Sequence, residues 1–534
     1  MNQPKNADPS PPAAVPQRQL TLFDSTCIIV GIIIGAGIYR SSPDIARFVP
    51  SVGWLFAVWL LGGLLSFIGA LCYAELATAY PKSGGDYVYL TRAFGRAVGF
   101  LFAWAQLWII RPGSIGAMAY AFADYANSIW PQAQGPQARN VLLTYAGGSI
   151  VFFTAVNLLG VRQGKWTQNL LTSAKVLGLA AIVVVGLLLA APKPPAEPAT
   201  TATINATPSA TKNIPQAETT DAKAKKIADV QTPDPQAEQA GPQANPPQEK
   251  QPADFFGRWF GLPTILAMLK SFSWDWFGLA MVFVLFTYGG WNEMAYVSAE
   301  VRNPNKNILR AMMLGTVAVA AIYLLVNYAF IHALGLEGAR KSTAAADVLG
   351  LALGPWAKHG LALLVCISAL GAVNGNIFTG ARIYYALGTE HRLYSWLGRW
   401  NAKTGTPISS LLIQGLITLG LVLWFGPTER SAGGMESGFS KMIIFTTPPF
   451  WFFLTMVGLS VAELRWRDRD LARPYRVLWY PLPPIILCLF SMYMVYSSLK
   501  YAITNESWEA IWSVAILGLG VAMSFFDPPA RAKE

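Results

Sequence analysis

The feature that most narrows the fold is a series of long, nearly uncharged apolar stretches. Residues 21–39, 54–79 and 173–191 each approach the roughly 20 apolar residues that cross a bilayer core. Of the 534 residues 53% are hydrophobic and only 13% charged, against about 25% charged in soluble chains. So few charges cannot coat a soluble surface of this size. The chain therefore reads as an all-α polytopic membrane protein. A secreted disulfide scaffold, a soluble dehydrogenase and an ordinary nucleic-acid-binding domain are excluded. The net charge of +11 is assigned to loops, with membrane lipid and no nucleic acid as partner.

The four cysteines, Cys27, Cys72, Cys366 and Cys488, lie in apolar stretches, where a free thiol acts as a small hydrophobe. His332, His359 and His391 lack metal-ligand spacing. No metal and no cofactor is expected. An enzyme would need a nucleophile, metal or acid–base pair at membrane depth, and no such constellation appears. The first 20 residues are polar and proline-rich, and no small-residue cleavage site follows the first apolar run. That run is read as a retained span rather than a signal peptide.

Hydropathy predicts 12 transmembrane helices, near 22–47, 53–79, 97–126, 141–159, 168–190, 272–297, 309–333, 355–388, 408–426, 440–462, 479–501 and 508–526. An even count puts both termini on one side. With the termini inside, inner segments hold 20 Lys and Arg against eight in the short outer loops, so the positive-inside rule makes both termini cytoplasmic. Residues 191–254 contain 12 prolines and no Phe, Trp or Tyr, a composition that cannot offset ordering entropy. The expected organisation is a disordered cytoplasmic N-terminus (1–20), a first transmembrane repeat (21–190, helices 1–5) and a disordered extracytoplasmic insertion (191–254). A second repeat follows (255–462), with an interfacial segment at 255–270 and then helices 6–10. Helices 11–12 and a cytoplasmic C-terminus (463–534) complete it.

Two spans carry glycine clusters at mid-membrane: Gly31 to Gly37 in the first, and Phe286 to Asn292, with Gly289 and Gly290, in the sixth. Glycine costs about 0.8–1 kcal/mol relative to alanine inside a helix. An opened turn also frees backbone groups that hydrocarbon cannot satisfy, so such breaks survive where they line a cavity. Gly31 and Gly35 also fit a helix-packing GxxxG motif. The matched positions, first and sixth of two five-helix halves, favour a transporter's central site. Half-helix N-termini suit a carboxylate, and freed carbonyls suit an ammonium. An α-amino acid carries both. The N–H groups of Ala36 and Gly37 are assigned to the carboxylate, and the carbonyls of Ile33, Phe286 and Gly289 to the amine. Gly35, Gly290 and Asn292 complete the candidate substrate site.

The segments GIIIGAGIY (31–39), YAELATAYPKSGGDYVYL (73–90), WAQLWIIRP (104–112), FTYGGWNEMAYVSAEVRNPNKNI (286–308), GAVNGNIFTGAR (371–382) and LRWRDRDLARPYRV (464–477), with Gln168 and Lys175, resemble the amino acid-polyamine-organocation superfamily, in its L-type amino acid transporter branch. The resemblance covers roughly residues 20–190 and 270–500 and implies a LeuT-like 5+5 inverted repeat with unwound helices 1 and 6 plus two extra helices. It implies that Phe286 gates the ligand. It also places the Lys175 amine where sodium-coupled relatives of the fold hold sodium, which disfavours sodium and makes Lys175 the coupling residue, as proton carrier or as fixed charge. Ala36 stands where many relatives have Ser, so only backbone recognition carries over. Residues 127–140 lack the cysteine that joins animal members to a glycoprotein. No disulfide-linked heavy chain is expected. The expectation is a stand-alone bacterial inner-membrane permease, monomer or homodimer.

The two unwound segments hold no Asp or Glu, which disfavours a cationic side chain. Neutral L-amino acids are the expected substrates, with the size of the side chain left open and Met118, Trp291 and Trp451 as pocket walls. The expected mechanism is sodium-independent alternating access, by proton symport or by exchange. Glu293 and Glu300 lie near Arg302 and Lys306, as an inner gate or a solvated helix end. A sensor that binds without transporting, and an amine or polyamine permease, are the rivals; the second needs acidic residues near Gly289 or Asn292.

Overall fold

The computed structural model describes residues 15–130, 137–189, 268–429, 435–436, 438–504 and 507–526. The predicted disorder at 191–254 and the interfacial segment up to residue 267 lie outside the described residues.

A capping box starts the first helix, α1 (Leu22–Ile33): the Thr21 hydroxyl accepts the Asp24 N–H at 3.2 Å, and the Asp24 carboxylate accepts the Thr21 N–H at 3.0 Å. Just before it, the N–H groups of Gln19 and Leu20 both donate to the Glu300 carbonyl at 2.8 Å, and the Leu20 carbonyl accepts the Arg302 N–H. Gln19 and Leu20, at the end of the segment expected to be disordered, thus have paired backbone groups. Helix α2 (Gly37–Phe48) continues after residues 34–36 with a bend of 46°. Helix α3 (Val52–Ala79), capped by Ser51, leads to the short helices α4 (Asp86–Phe94) and α5 (Arg96–Ala105). A π turn at Gln106–Ile110 joins α5 to α6 (Arg111–Ile129), and α7 (Ala138–Leu158) and α8 (Val161–Leu188) follow.

The second half opens with α9 (Trp274–Tyr288), a Gly289–Gly290 turn and a 3-10 segment at Trp291–Glu300. Then come α10 (Pro304–Ala339), kinked at Gly335, α11 (Ala344–Leu353), α12 (Ala357–Glu390) and α13 (Ile408–Trp424). A two-residue antiparallel pairing of Thr428–Glu429 with Met435–Glu436 precedes α14 (Gly438–Arg467), α15 (Leu482–Thr504) and α16 (Trp508–Phe526).

Among the described residues, eight helices are long and apolar enough to cross a membrane, or nine if the bent α1–α2 pair is one span. The apolar segments near 97–126, 272–297 and 408–426 are helical too. The first contains the π turn, the second the Gly289–Gly290 break, and the third has 17 residues. Leu170, Leu177 and Val184 on α8 are exposed, while Gln168, Thr172 and Lys175 on the same helix are buried. An apolar outside around a polar inside is what hydrocarbon selects. Helix α12 packs chiefly on α6, and α1 is held by α10, α8 and α12, so both helix breaks sit in the protein interior.

Candidate functional site

The first break follows from where the backbone bonds stop. Ile34 N–H still reaches the Val30 carbonyl, Gly35 N–H turns to the Ile33 carbonyl at 2.8 Å, and the first bond of α2 runs from Arg40 N–H to Ala36. The N–H groups of Gly37, Ile38 and Tyr39 thus have no helical acceptor. At the second break Gly289 N–H donates to Phe286 at 3.1 Å, and Gly290 takes φ 116°, a conformation that an L side chain adopts only at a cost. The two breaks touch. A Cβ on Gly290 would lie 2.8 Å from Ile32 Cγ2, and one on Gly37 3.3 Å from the Thr287 side chain.

Between them is a cavity of about 150 Å³. Of the expected substrate residues, Ile33, Gly35, Gly37, Phe286, Gly289, Gly290 and Asn292 line it, with Met118 and Trp451 as walls. Two expected residues do not. Ala36 is fully buried and turned into the start of α2, where its carbonyl takes the Arg40 N–H. Trp291 faces away, edge-on to Tyr73 at 5.2 Å and against Gly69, since the 3-10 turn directs successive side chains to different sides. The amine role given to the Ile33 carbonyl also fails. That oxygen accepts both Gly35 N–H and, at 3.0 Å, the Tyr323 hydroxyl, so its lone pairs are occupied.

The Phe286 ring meets Phe439 edge-on at 6.2 Å. The Arg40 guanidinium lies 4.6 Å from the Phe439 ring and pairs with Asp124 at 3.2 Å. On another wall, Glu293 enters the lining, which corrects the expectation that no acidic side chain approaches the site. Its charge is compensated: Arg111 Nη1 donates to it at 2.7 Å and the Thr379 hydroxyl at 2.6 Å, while Arg111 also reaches Asn376 and Gln106. Glu300 pairs with Arg382 at 2.8 Å, both fully buried, rather than with Arg302 or Lys306. Arg111 and Arg382 lie on other spans, so sequence proximity pointed to the wrong partners. An acidic residue and an arginine inside apolar segments were the available signal.

Lys175 on α8 donates to three carbonyls: Gly31 and Ile34 of the first break, both at 2.8 Å, and Ser368 of α12 at 2.9 Å. Three donors meeting three acceptors is the full complement of an ammonium. Outside the spans, Asp468 accepts from Arg92 and Tyr80; the guanidinium holds its carboxyl below the usual carboxylate range. No cluster of three or more His, Cys, Asp or Glu suited to a metal occurs among the described residues.

Backbone breaks facing one cavity inside an apolar-coated helical body define a membrane carrier. The chain belongs to the amino acid permease family, whose model matches residues 20–522, within the amino acid-polyamine-organocation superfamily. It is a multi-pass membrane protein of a transporter family, not an enzyme. It is 28% identical to the b(0,+)-type amino acid transporter 1 of Mus musculus over 95% of this chain and 88% of that protein. Against the Homo sapiens b(0,+)-type amino acid transporter 1 the identity is 27%, with the same coverage. The large neutral amino acids transporter small subunit 2 of Mus musculus is 28% identical over 96% of this chain and 80% of its own length.

Proposed function

We propose that this permease carries neutral, large L-amino acids by sodium-independent alternating access, through 12 spans built as a 5+5 inverted repeat with broken helices 1 and 6 and two added helices. The observation that carries the reading is the cavity between the two breaks. It offers unpaired N–H groups at the start of α2 for a carboxylate and the carbonyl end of α9, at Phe286 and Gly289, for an amine. Among its described lining residues Glu293 is the one charged side chain, and Arg111 neutralises it, which supports a neutral substrate side chain over a polyamine.

The three carbonyls on Lys175 support a fixed ammonium that pins the broken first helix to α8 and α12, in place of a sodium ion. The distribution of Lys and Arg supports cytoplasmic termini. The cysteines Cys27, Cys72 and Cys366 are buried and Cys488 half-buried, which supports a permease without a covalent heavy chain, as monomer or homodimer.

Counterflow in proteoliposomes with 20 radiolabelled amino acids, at two pH values with and without sodium, tests the reading. Flux of large neutral amino acids independent of sodium is the expected result. Saturable binding without any flux would instead make the chain a sensor.

A further inference from the structure

One buried acid takes no part in the site above. Asp86, at the start of α4, is 3% exposed. Its Oδ2 accepts the hydroxyls of Tyr73 at 2.9 Å and Tyr296 at 2.7 Å, while Oδ1 is buried with no hydrogen-bond partner. A second cavity of about 10 Å³, lined by Asp86, Tyr73, Gln106, Asn292 and Tyr296, adjoins it. That is room for about one water. Asn292 lines this cavity and the substrate cavity alike, and its Nδ2 donates to the Tyr296 hydroxyl at 3.1 Å. A continuous chain of hydrogen bonds therefore runs from the substrate cavity through Asn292 and Tyr296 to Asp86.

The charged and titratable groups facing Asp86 are Tyr73 on α3, Tyr89 on its own helix, Tyr296 and Glu293 on the 3-10 segment, and Arg111 on α6. Arg111 is committed to Glu293, and its guanidinium stacks 4.7 Å from the Tyr296 ring. Helix α14 contributes apolar Phe450, Phe453 and Leu454 to the small cavity. No described cation forms an ion pair with Asp86. A buried carboxylate held by phenols alone, with one free oxygen beside a water-sized space, is suited to take up a proton.

We propose that Asp86 is the site of a proton that moves with the substrate, a deepening that rests on the transport reading above. Ionised, Asp86 draws both phenol hydrogens and fastens the 3-10 segment to α3 and α4; charge-assisted bonds of this kind are roughly twice as strong as neutral ones. Protonated by a hydronium ion on one side, it loosens Tyr296 and with it Asn292 at the substrate wall. The proton later leaves to water on the other side, so only O–H bonds form and break.

The test uses full-length protein in proteoliposomes, with a mixture of radiolabelled neutral L-amino acids as probe and an internal pH dye. At one proton per substrate, an inward gradient of one pH unit should sustain up to about ten-fold accumulation in the wild type. In Asp86→Asn both gradient-driven accumulation and dye acidification should vanish while counterflow persists. Should Asp86→Asn not yield monodisperse protein, Tyr296→Phe keeps the carboxylate and removes one donor to its charged form. It should move the pH of half-maximal uptake upward by about one unit. Gradient-driven accumulation surviving in Asp86→Asn, or an unmoved profile in Tyr296→Phe, overturns the proposal. Wild-type counterflow without any response to the gradient overturns it too, leaving the transport reading intact. Absence of wild-type counterflow removes both.

Discussion

Arg111 and Glu293 stand 182 positions apart in the chain, yet their side chains meet at 2.7 Å, each less than a tenth exposed. The pair joins α6 to the 3-10 segment that follows the Gly289–Gly290 break. Breaking a buried pair strands the surviving charge and costs about 3–5 kcal/mol. Glu293→Gln should therefore lower the melting temperature in detergent markedly, and Arg111→Met with Glu293→Leu should lose less than the single change. Equal melting of Glu293→Gln and wild type would show that the pair does not matter.

Gly290 holds φ 116° against Ile32. A side chain there costs about 1–2 kcal/mol in backbone strain alone, and its Cβ would press on the first break. Gly290→Ala and Gly289→Val should each abolish uptake while the protein still elutes as a folded species in detergent. Normal uptake by either variant would separate the breaks from the substrate site.

Lys175→Ala removes the ammonium from three buried carbonyls, of which that of Ile34 keeps the Ser368 hydroxyl, a loss of about 2–4 kcal/mol. If the ammonium is a fixed pin, uptake falls but its pH dependence keeps the wild-type shape. A flattened pH profile in this variant would place the moving proton on Lys175.

Trp451 walls the substrate cavity and packs edge-on to Phe490 at 5.4 Å. Trp451→Ala should enlarge the room for the substrate side chain and raise the ratio of kcat/KM for phenylalanine over alanine by at least about ten-fold. Competition uptake measures the ratio; no change would put the selectivity wall elsewhere.

The Arg92–Asp468 contact gives a pH-dependent increment of stability. The folded carboxyl titrates below its ordinary value of 3.8, so the increment is fully present above that value and is lost as pH falls through the depressed one. Arg92 is half exposed, which keeps the increment within about 1 kcal/mol. Melting of Arg92→Ala and wild type should differ by a constant amount from pH 7 to about 5 and converge only as pH falls below 3.8.

Both helix breaks were legible in the sequence because glycine clusters at mid-span have few other uses, and the residues beside them, such as Gly37, Phe286 and Asn292, line one cavity. What the sequence hid depends on the azimuth of side chains and on contacts between distant spans. Trp291 adjoins Gly290 yet points to Tyr73, because the turn type after the break is not written in composition. The occupation of the Ile33 carbonyl needed Tyr323, 290 positions away. Glu293 lies one residue beyond the Phe286–Asn292 glycine cluster, and its partner, Arg111 on α6, is set by the packing of a distant span.

The partners of Lys175 are all main-chain oxygens. Substituting the residues that carry them, Gly31, Ile34 or Ser368, swaps side chains while leaving those oxygens in the chain, so adaptation of this contact is one-sided. Variation at position 175 itself, or a shift in the path of the backbone, is the route by which a lineage could retune it.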